Sequence, residues 1–315
     1  MALPFVKSLP HGIHVIDTGF HRDDFDAAFL IVEDSRAAFI DTGTNFSVPR
    51  MLAALQDLGL PPEAVDWVIP THVHLDHAGG MGLLMQSLHQ ATMLVHPRGA
   101  RHMIDPQALY AGALAVYGQA EMDRSYGQLI PVPAERVRET SDGMTVSLAG
   151  RALQFMDTPG HARHHHCIWD ARSQGWFTGD TFGLSYREFD TAQGAWVMPT
   201  STPVQFEPEA LRASIARLLG FGPACMYLTH YGQVHDVPRL AGLLYQQIDG
   251  MVALAQSLRH HPDRHQALVS GLNALYRDQL VRHGVADPEA GLAGLSLDIE
   301  LNAQGLAVWL DRDKR

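Results

Sequence analysis

The chain has 315 residues, of which 46% are hydrophobic and 18% charged, a composition typical of a folded enzyme and not of a disordered chain. Its net charge of −11 argues against nucleic-acid binding as the main activity, because clustered basic side chains are needed to hold a phosphate backbone. The first ten residues carry no basic segment followed by a sustained apolar run, and no later segment reaches the roughly 18 apolar residues of a membrane span, so we expect a cytoplasmic protein without a membrane partner.

Apolar periodicity in the first part of the chain predicts strands followed by helices. Strands are expected at residues 13–17, 28–33, 37–41, 65–69 and 92–96. One helix is expected at residues 48–58, where Ser47 is typical of an N-cap and Pro49 of a first helical turn. A second helix is expected at residues 82–88.

The second half repeats this pattern. Strands are expected at residues 145–148, 153–156, 167–170, 175–178 and 224–229, with a helix at residues 207–219 before the last strand. Cys167 and Cys225 fall in these strands, and a pair of cysteines does not make a disulfide scaffold, so we expect buried thiols. Strands in two groups with helices outside fit a four-layer αββα sandwich, although the pattern alone establishes only a mixed α/β fold.

Two helical segments lie outside this scheme. Residues 97–133 predict a helical insertion of one or two helices, and residues 237–315 predict a mostly helical extension with helices near 240–258, 264–283 and 295–310. We therefore expect a catalytic domain at residues 1–236 with the extension packed on it. Helices of this kind more often pad a core or form a homodimer face than bind substrate, although the insertion can cover a cleft. The histidines of the extension, His283 among them, are expected to be solvated.

Four metal-ligand side chains follow the strand at residues 65–69 within a few positions. The segment Thr-His-Val-His-Leu-Asp-His-Ala-Gly-Gly occupies residues 71–80. A tight turn there can point His72 and His74 to one side and Asp76 and His77 to another, while the two glycines remove a Cβ from the path into the next helix. This arrangement predicts two metal ions.

Two ions that share a water need roughly three further nitrogen or oxygen donors. The chain offers His161 in Thr-Pro-Gly-His, Asp180 in Thr-Gly-Asp-Thr and His230 after Thr229. Each candidate follows a predicted buried strand, at the point where the strand opens into a loop.

In this order the four segments resemble the metallo-β-lactamase superfamily over roughly residues 12–235. The resemblance implies the αββα fold and a dinuclear site. One ion would take His72, His74 and His161, the second Asp76, His77 and His230, and Asp180 would bridge both. Zinc is the expected ion, and iron and manganese stay open because nitrogen and oxygen ligands suit all three.

Two such cations lower the pKa of a shared water from about 15.7 toward 7 and polarise a carbonyl. We therefore expect hydrolysis of a small-molecule thioester, ester or lactone by a metal-bridging hydroxide, with Asp76 orienting it or moving its proton. The His161 and Asp180 segments are most similar to the glyoxalase II-like branch, which implies an acyl thioester. The chain departs from that branch in Thr229-His230-Tyr231-Gly232 and in the lack of lysines in the helical extension before Lys314, so glutathione recognition stays open. Lactonase activity is the nearest alternative, and iron-dependent oxygen or persulfide chemistry is another.

Four more side chains are candidates for the surroundings of the metals. His165 lies four residues after His161, as in glyoxalase II. Tyr231 can donate to a developing oxyanion or pack on the sheet, and Tyr186 and Arg187 are candidates for substrate contact.

Overall fold

The computed structural model describes residues 3–201 and 205–312. Their internal contacts divide them into two compact units. Unit 1 comprises residues 3–157, 164–179 and 229–232, and unit 2 comprises the described residues of 158–163, 180–228 and 233–312. The domain boundary predicted after residue 236 stays a prediction.

The strands are short, with three to seven residues each. In chain order they are β1 Val6–Leu9, β2 Ile13–Asp17, β3 Ala27–Glu33, β4 Arg36–Ile40, β5 Val65–Ile69, β6 Thr92–Val95, β7 Val137–Glu139, β8 Thr145–Leu148, β9 Arg151–Asp157, β10 His166–Asp170, β11 Gly175–Gly179, β12 Cys225–Leu228 and β13 Gly232–Val234. The strands expected from the sequence are confirmed to within a few residues.

The helices lie between and after the strands. They are α1 Val48–Asp57, α2 Leu75–Ala78, α3 Met81–Ser87, α4 Pro97–Ile104, α5 Gln107–Tyr117, α6 Gln119–Glu121, α7 Pro208–Leu219, α8 Val237–Ser257, α9 Arg264–Arg282, α10 Pro288–Gly294 and α11 Ser296–Arg312. A π-helical turn, Met122–Tyr126, follows α6. Among the described residues, no helix is both long and apolar enough to cross a membrane.

The first sheet of unit 1 places the ends of its central strands side by side. Its order is β1 to β7 in sequence, antiparallel from β1 to β4 and parallel from β4 to β7. Because β4 and β5 are parallel, their carboxyl ends meet at one edge. Asp41, directly after β4, donates its backbone N–H to the carbonyl of Ile69 at 2.9 Å. The histidine-rich segment therefore begins beside Asp41.

Strands β8 to β11 of unit 1 form antiparallel pairs that pack against the first sheet. Phe29 of β3 contacts Phe177 of β11 edge-on, with ring centroids 5.2 Å apart. At the rim, the indole N–H of Trp67 donates to the carbonyl of Ser147 at 3.0 Å. These contacts make unit 1 a sandwich of two sheets with an apolar interior.

Helices α1 and α3 cover the outer face of the first sheet with buried residues that include Met51, Leu55 and Leu84. Ser47 occupies the N-cap position of α1, as expected, but its side chain makes no capping hydrogen bond to that helix. Thr44 caps a short 3₁₀ turn, Asn45–Ser47, that leads directly into α1, and the Ser47 hydroxyl accepts from the backbone N–H of Thr44 as the other half of a capping box.

Unit 2 packs its long helices around a core of its own. The buried residues of α8 include Leu240, Leu244 and Ile248, at the spacing that predicted this helix. His283 is an exception to the expected solvated histidines, because it is buried and its Nε2 lies 3.0 Å from the carbonyl oxygen of Gly194. Burial lowers the pKa of this histidine.

Candidate metal centre

The segment from His72 to Gly80 changes backbone conformation between its two pairs of candidate ligands. His74 is extended, and α2 begins with the next residue, so that Asp76 and His77 lie on a helical turn. An added Cβ at Gly79 would lie 2.3 Å from the carbonyl oxygen of Leu75. This turn has no room for a side chain there, which confirms the role predicted for the glycine.

Asp76, His77 and His230 come together within unit 1. The Asp76 carboxylate lies 3.4 Å from Nε2 of His230 and 3.7 Å from Nε2 of His77. The ligand atoms of all three lie within 4.8 Å of one another, close enough to hold one ion. The two histidines are buried, whereas the Asp76 side chain is 26% exposed. The carboxylate is therefore the part of this cluster that a substrate can reach.

The opposite nitrogens of these histidines are held by protein oxygens. Nδ1 of His77 lies 2.9 Å from the Asp41 carboxylate, and Nδ1 of His230 lies 2.8 Å from the carbonyl oxygen of Phe25. A carbonyl or carboxylate oxygen only accepts, so each Nδ1 carries the hydrogen and each neutral ring keeps its lone pair on Nε2. The lone pairs thus face the side where Asp76 lies.

His72 is held in a similar way through a hydroxyl. The Thr71 hydroxyl donates to Asp41 at 2.9 Å, so its oxygen accepts from Nδ1 of His72 at 3.2 Å. Nε2 of His72 then faces Nδ1 of His74 at 2.8 Å. Two nitrogens that converge in this way are the donors that a shared cation requires.

Asp41 joins these contacts, and sequence reasoning did not identify it. Its carboxylate is buried and accepts from the Thr71 backbone N–H at 2.7 Å, the Thr71 hydroxyl, the Thr229 hydroxyl at 2.7 Å and His77. The available signal was an acidic residue at the carboxyl end of a strand that runs parallel to the strand before the histidine motif. One carboxylate thereby fixes the segments that carry His72, His77 and His230.

His161 and Asp180 come together within unit 2. Nε2 of His161 lies 3.4 Å from the Asp180 carboxylate, and its Nδ1 lies 3.3 Å from the carbonyl oxygen of Thr200. Gly160 before it has φ +132°, and an added Cβ would lie 2.2 Å from the backbone nitrogen of Leu211. The glycine of Thr-Pro-Gly-His is therefore required by a close approach of α7. The orientation of His161 matches that of His77 and His230.

The three histidines after residue 163 are buried beneath the motif. His165 stacks on His72, with centroids 4.8 Å apart and an interplanar angle of 23°. His164 lies edge-on to His74 at 5.5 Å. His166 donates from Nε2 to the carbonyl of Pro70 at 2.8 Å, and burial lowers its pKa to about 3. They act as packing around the metal-ligand segment, and a substrate role for His165 stays a prediction.

The other candidates have partners of their own. Tyr186 is buried in unit 2 and its hydroxyl lies 3.2 Å from the Asp298 carboxylate, while Arg187 donates to the carbonyl of Ser185 at 2.6 Å. Tyr231 is half-buried directly after His230. Substrate contact by these three side chains stays a prediction.

A model of the metallo-beta-lactamase superfamily matches residues 15–230. This is more than half of the chain, which therefore belongs to that superfamily. The expected fold is confirmed.

Similar proteins agree with this assignment. The metallo-beta-lactamase fold-containing protein ST1585 of Sulfurisphaera tokodaii is 25% identical over 228 residues, covering 71% of this chain and 79% of that protein. Its crystal structure has a TM-score of 0.66 at 22% identity and covers 95% of this chain and 99% of its own. The family protein TTHA1429 of Thermus thermophilus has a TM-score of 0.60 at 19% identity, covering 97% of this chain and 95% of its own. At such identities the structural likeness shows the fold alone.

A relative that is named for its activity is also similar. The acyl-coenzyme A thioesterase MBLAC2 of Gallus gallus is 28% identical over 192 residues, covering 55% of this chain and 64% of that protein.

Proposed function

We propose that the protein is a metal-dependent hydrolase that holds two divalent cations and cleaves an acyl thioester. The ligand set follows the family resemblance. It is His72, His74 and His161 for one ion, Asp76, His77 and His230 for the other, and Asp180 for both. The observation that carries the proposal is the shared orientation of His77, His161 and His230, whose Nδ1 atoms meet protein oxygens while each Nε2 faces a carboxylate.

These residues are suitable ligands for two divalent cations. Imidazole and carboxylate donors suit zinc, and also iron and manganese. In metal sites the second ring nitrogen of a ligating histidine is normally bound by an oxygen, which fixes the tautomer and raises the basicity of the ligand. His77 has such an oxygen partner in the Asp41 carboxylate, and His230 has one in the Phe25 carbonyl. Zinc is therefore the first ion to test.

When bound, two divalent cations lower the pKa of a water and polarise a carbonyl, which is the chemistry that hydrolysis needs. The protein supplies the surroundings. Its histidine ligands are buried, which keeps bulk water away, and Asp76 is the partly exposed acid among them. The Asp76 carboxylate can orient the attacking water and accept its proton, and it can return that proton to the departing thiolate.

Two findings support a thioester over other carbonyl compounds. The His161 and Asp180 segments resemble the glyoxalase II-like branch, and the Gallus gallus relative bears the name of an acyl-coenzyme A thioesterase. A thiolate is also a good leaving group, so that the chain needs no further acid beyond Asp76. Lactones and carboxylic esters are the closest chemical alternatives.

The test is turnover of a substrate panel by protein loaded separately with zinc, manganese or ferrous iron. Proton release is followed with acyl thioesters, lactones, carboxylic esters and a phosphodiester, and bound metal is counted by mass spectrometry. We expect about two ions per chain, as the proposed ligand set requires, and turnover confined to thioesters. Turnover of lactones alone would replace the substrate class, and a protein that binds metal yet hydrolyses nothing in the panel would overturn the proposal.

Matched variants distinguish the loss of a metal-binding side chain from a general effect of substitution on the fold. Asp76→Asn is expected to lose at least about a hundredfold in kcat, the size of a general acid–base contribution. Asp57→Asn changes an exposed aspartate at the end of α1 and is the control, with unchanged kcat. His77→Asn and His89→Asn make the same comparison for a buried and an exposed histidine.

A further inference from the structure

Helix α5 is apolar but is not covered. Its sequence, Gln-Ala-Leu-Tyr-Ala-Gly-Ala-Leu-Ala-Val-Tyr, contains no charged residue, and none of its 11 described residues is buried. Val116 is 43% exposed. The neighbouring α4 differs, because it carries Arg98 and Arg101 and buries Met103. A helix that is apolar all round is normally buried, so an uncovered one indicates a binding surface.

A continuous path of ring contacts leads from α5 to the candidate metal centre inside unit 1. Tyr117, the last residue of α5, lies against Tyr126 with centroids 5.3 Å apart, and Tyr126 lies against Phe20 at 5.5 Å. Phe20 contacts Phe25 at 6.0 Å, and Phe25 meets the ring of His230 edge-on at 5.5 Å. A line of packed rings therefore joins the exposed helix α5 to a candidate metal ligand.

The ring of Tyr126, in the middle of this path, is uncharged. Burial, the neighbouring Tyr117 and the Asp76 carboxylate raise the pKa of Tyr126, so that its phenol stays protonated. Tyr126, Phe20 and Phe25 are buried, and each ring packs on the next beneath the exposed α5. Aromatic surface of this kind binds apolar groups strongly for the area it covers.

We propose that α5 with Tyr117, resting on the buried rings of Tyr126, Phe20 and Phe25, forms the binding surface for the apolar acyl chain of the substrate. This acyl strip rests on the proposed thioesterase function and adds the substrate class, a thioester of a medium or long acyl chain. The carbonyl end of the chain lies at Asp76 and His230, and the methyl end runs toward Val116. Continuity with His230 favours an acyl chain over a second copy of the protein as the occupant of α5.

The experiment measures kcat/KM for a series of thioesters that share one thiol, N-acetylcysteamine, and differ in the acyl group, from acetyl through butyryl and octanoyl to dodecanoyl. In the zinc-loaded protein we expect kcat/KM to rise with chain length, by up to about fourfold per methylene, which corresponds to about 0.8 kcal/mol for each buried CH₂. Equal kcat/KM for the acetyl and dodecanoyl substrates would overturn the acyl strip and leave the thioesterase function intact.

Variants of α5 test whether the dependence of kcat/KM on acyl chain length arises at this helix. Tyr117→Ala and Val116→Ser are expected to reduce kcat/KM for the dodecanoyl thioester relative to the acetyl thioester at least about tenfold, as the loss of several methylene contacts predicts. Val281→Ser is the control, because Val281 is 59% exposed on α9 and lies outside the strip. An undiminished preference for the dodecanoyl thioester in Tyr117→Ala would overturn the proposal. A dimer that Val116→Ser dissociates while the chain-length preference persists would overturn it too.

A binding measurement keeps the two proposals apart. Titration calorimetry of the zinc-loaded protein with dodecanoate and with acetate needs no catalysis. Tight dodecanoate binding that Tyr117→Ala weakens supports the acyl strip even where no thioester is turned over, in which case the thioesterase function alone fails. Equal binding of dodecanoate to the native protein and to Tyr117→Ala would overturn the strip.

Discussion

The candidate histidine ligands are oriented mainly by the oxygen atoms that bind their Nδ1 atoms, on the side of the ring away from Nε2. For His77, His161 and His230, an oxygen that only accepts fixes the hydrogen on Nδ1. The same oxygen limits rotation of the ring, so Nε2 is in place before a cation arrives. Such prepared sites avoid the entropy cost of ordering ligands at the moment of binding.

Asp41→Asn tests this orientation at one residue. The carboxylate accepts from two hydroxyls, one backbone N–H and one imidazole, whereas an asparagine has a single acceptor oxygen and turns an NH₂ group toward donors. We expect about a 10- to 100-fold loss of zinc affinity, as for other partners of metal-bound histidines. A competition titration with a coloured chelator measures the loss, and unchanged affinity in Asp41→Asn would contradict the orienting role.

His166 makes a prediction about pH. Its folded pKa of about 3 lies below the ordinary histidine value of 6.5, so between these values the unfolded chain binds a proton that the folded protein does not. Its contribution to stability is therefore present above pH 6.5 and is lost as the pH falls, by up to about 1.4 kcal/mol per pH unit.

The measurement is urea unfolding of metal-free protein at several pH values, so that ligand protonation does not enter through metal release. His166→Gln has a side chain that does not titrate, and its free energy of unfolding should fall less steeply with decreasing pH than that of the native protein. Parallel slopes for the two proteins would show that His166 is not the titrating group.

Among the elements, the turn at α2 is the one on which the metal centre most depends. An added Cβ at Gly79 would lie 2.3 Å from the Leu75 carbonyl oxygen, whereas one at Gly242 in α8 meets no atom within 4 Å. Gly79→Ala should lower the free energy of unfolding by about 1–3 kcal/mol and weaken zinc binding. Gly242→Ala should raise it by up to about 1 kcal/mol through helix propensity. Thermal melts compare the two, and equal melting temperatures would contradict the close approach.

The elements that the sequence predicted well are those with a strong apolar period. β2 and β8 were predicted to the residue, and α8 and α9 to within a few residues. An element that packs on one face has apolar residues at regular spacing, and this spacing can be recognised in the sequence. Short elements were missed, such as β1, β7 and α2. Three or four residues do not complete a period, so the apolar pattern of such an element is too short to identify it.

The candidate ligands were predictable for a different reason, because several occur in one short segment and the rest follow strands. What supports them was not predictable. Nothing in the sequence distinguishes the carbonyl of Phe25 or the hydroxyl of Thr229 from other such groups. The fold brings the Phe25 carbonyl to His230 and the Thr229 hydroxyl to Asp41. His166 likewise gains its partner Pro70 across 96 positions.

For the molecule as a whole, metal should act as a stabilising ligand. A cation that binds the folded chain and not the unfolded one adds about 2.7 kcal/mol at a hundred times its Kd. We expect chelator treatment to lower the melting temperature by several degrees and zinc to restore it, as calorimetry can follow. His161→Asn should retain part of this stabilisation, because the ion assigned to Asp76, His77 and His230 keeps its ligands. A melting temperature that does not respond to zinc or chelator would contradict a bound metal.

The position of Asp41 also has a consequence for the order in which the chain assembles. Its contact with His77 spans 36 positions, but its contact with Thr229 spans 188. Closing the longer loop has the greater entropy cost, and during synthesis Thr229 leaves the ribosome long after the histidine motif. A growing chain therefore carries His72, His74 and His77 for some time without the hydroxyl and the His230 ring that complete their surroundings. High-affinity zinc binding should consequently begin only when the last segment of unit 1 has folded onto the rest. A chain that ends before Thr229 should bind zinc only weakly.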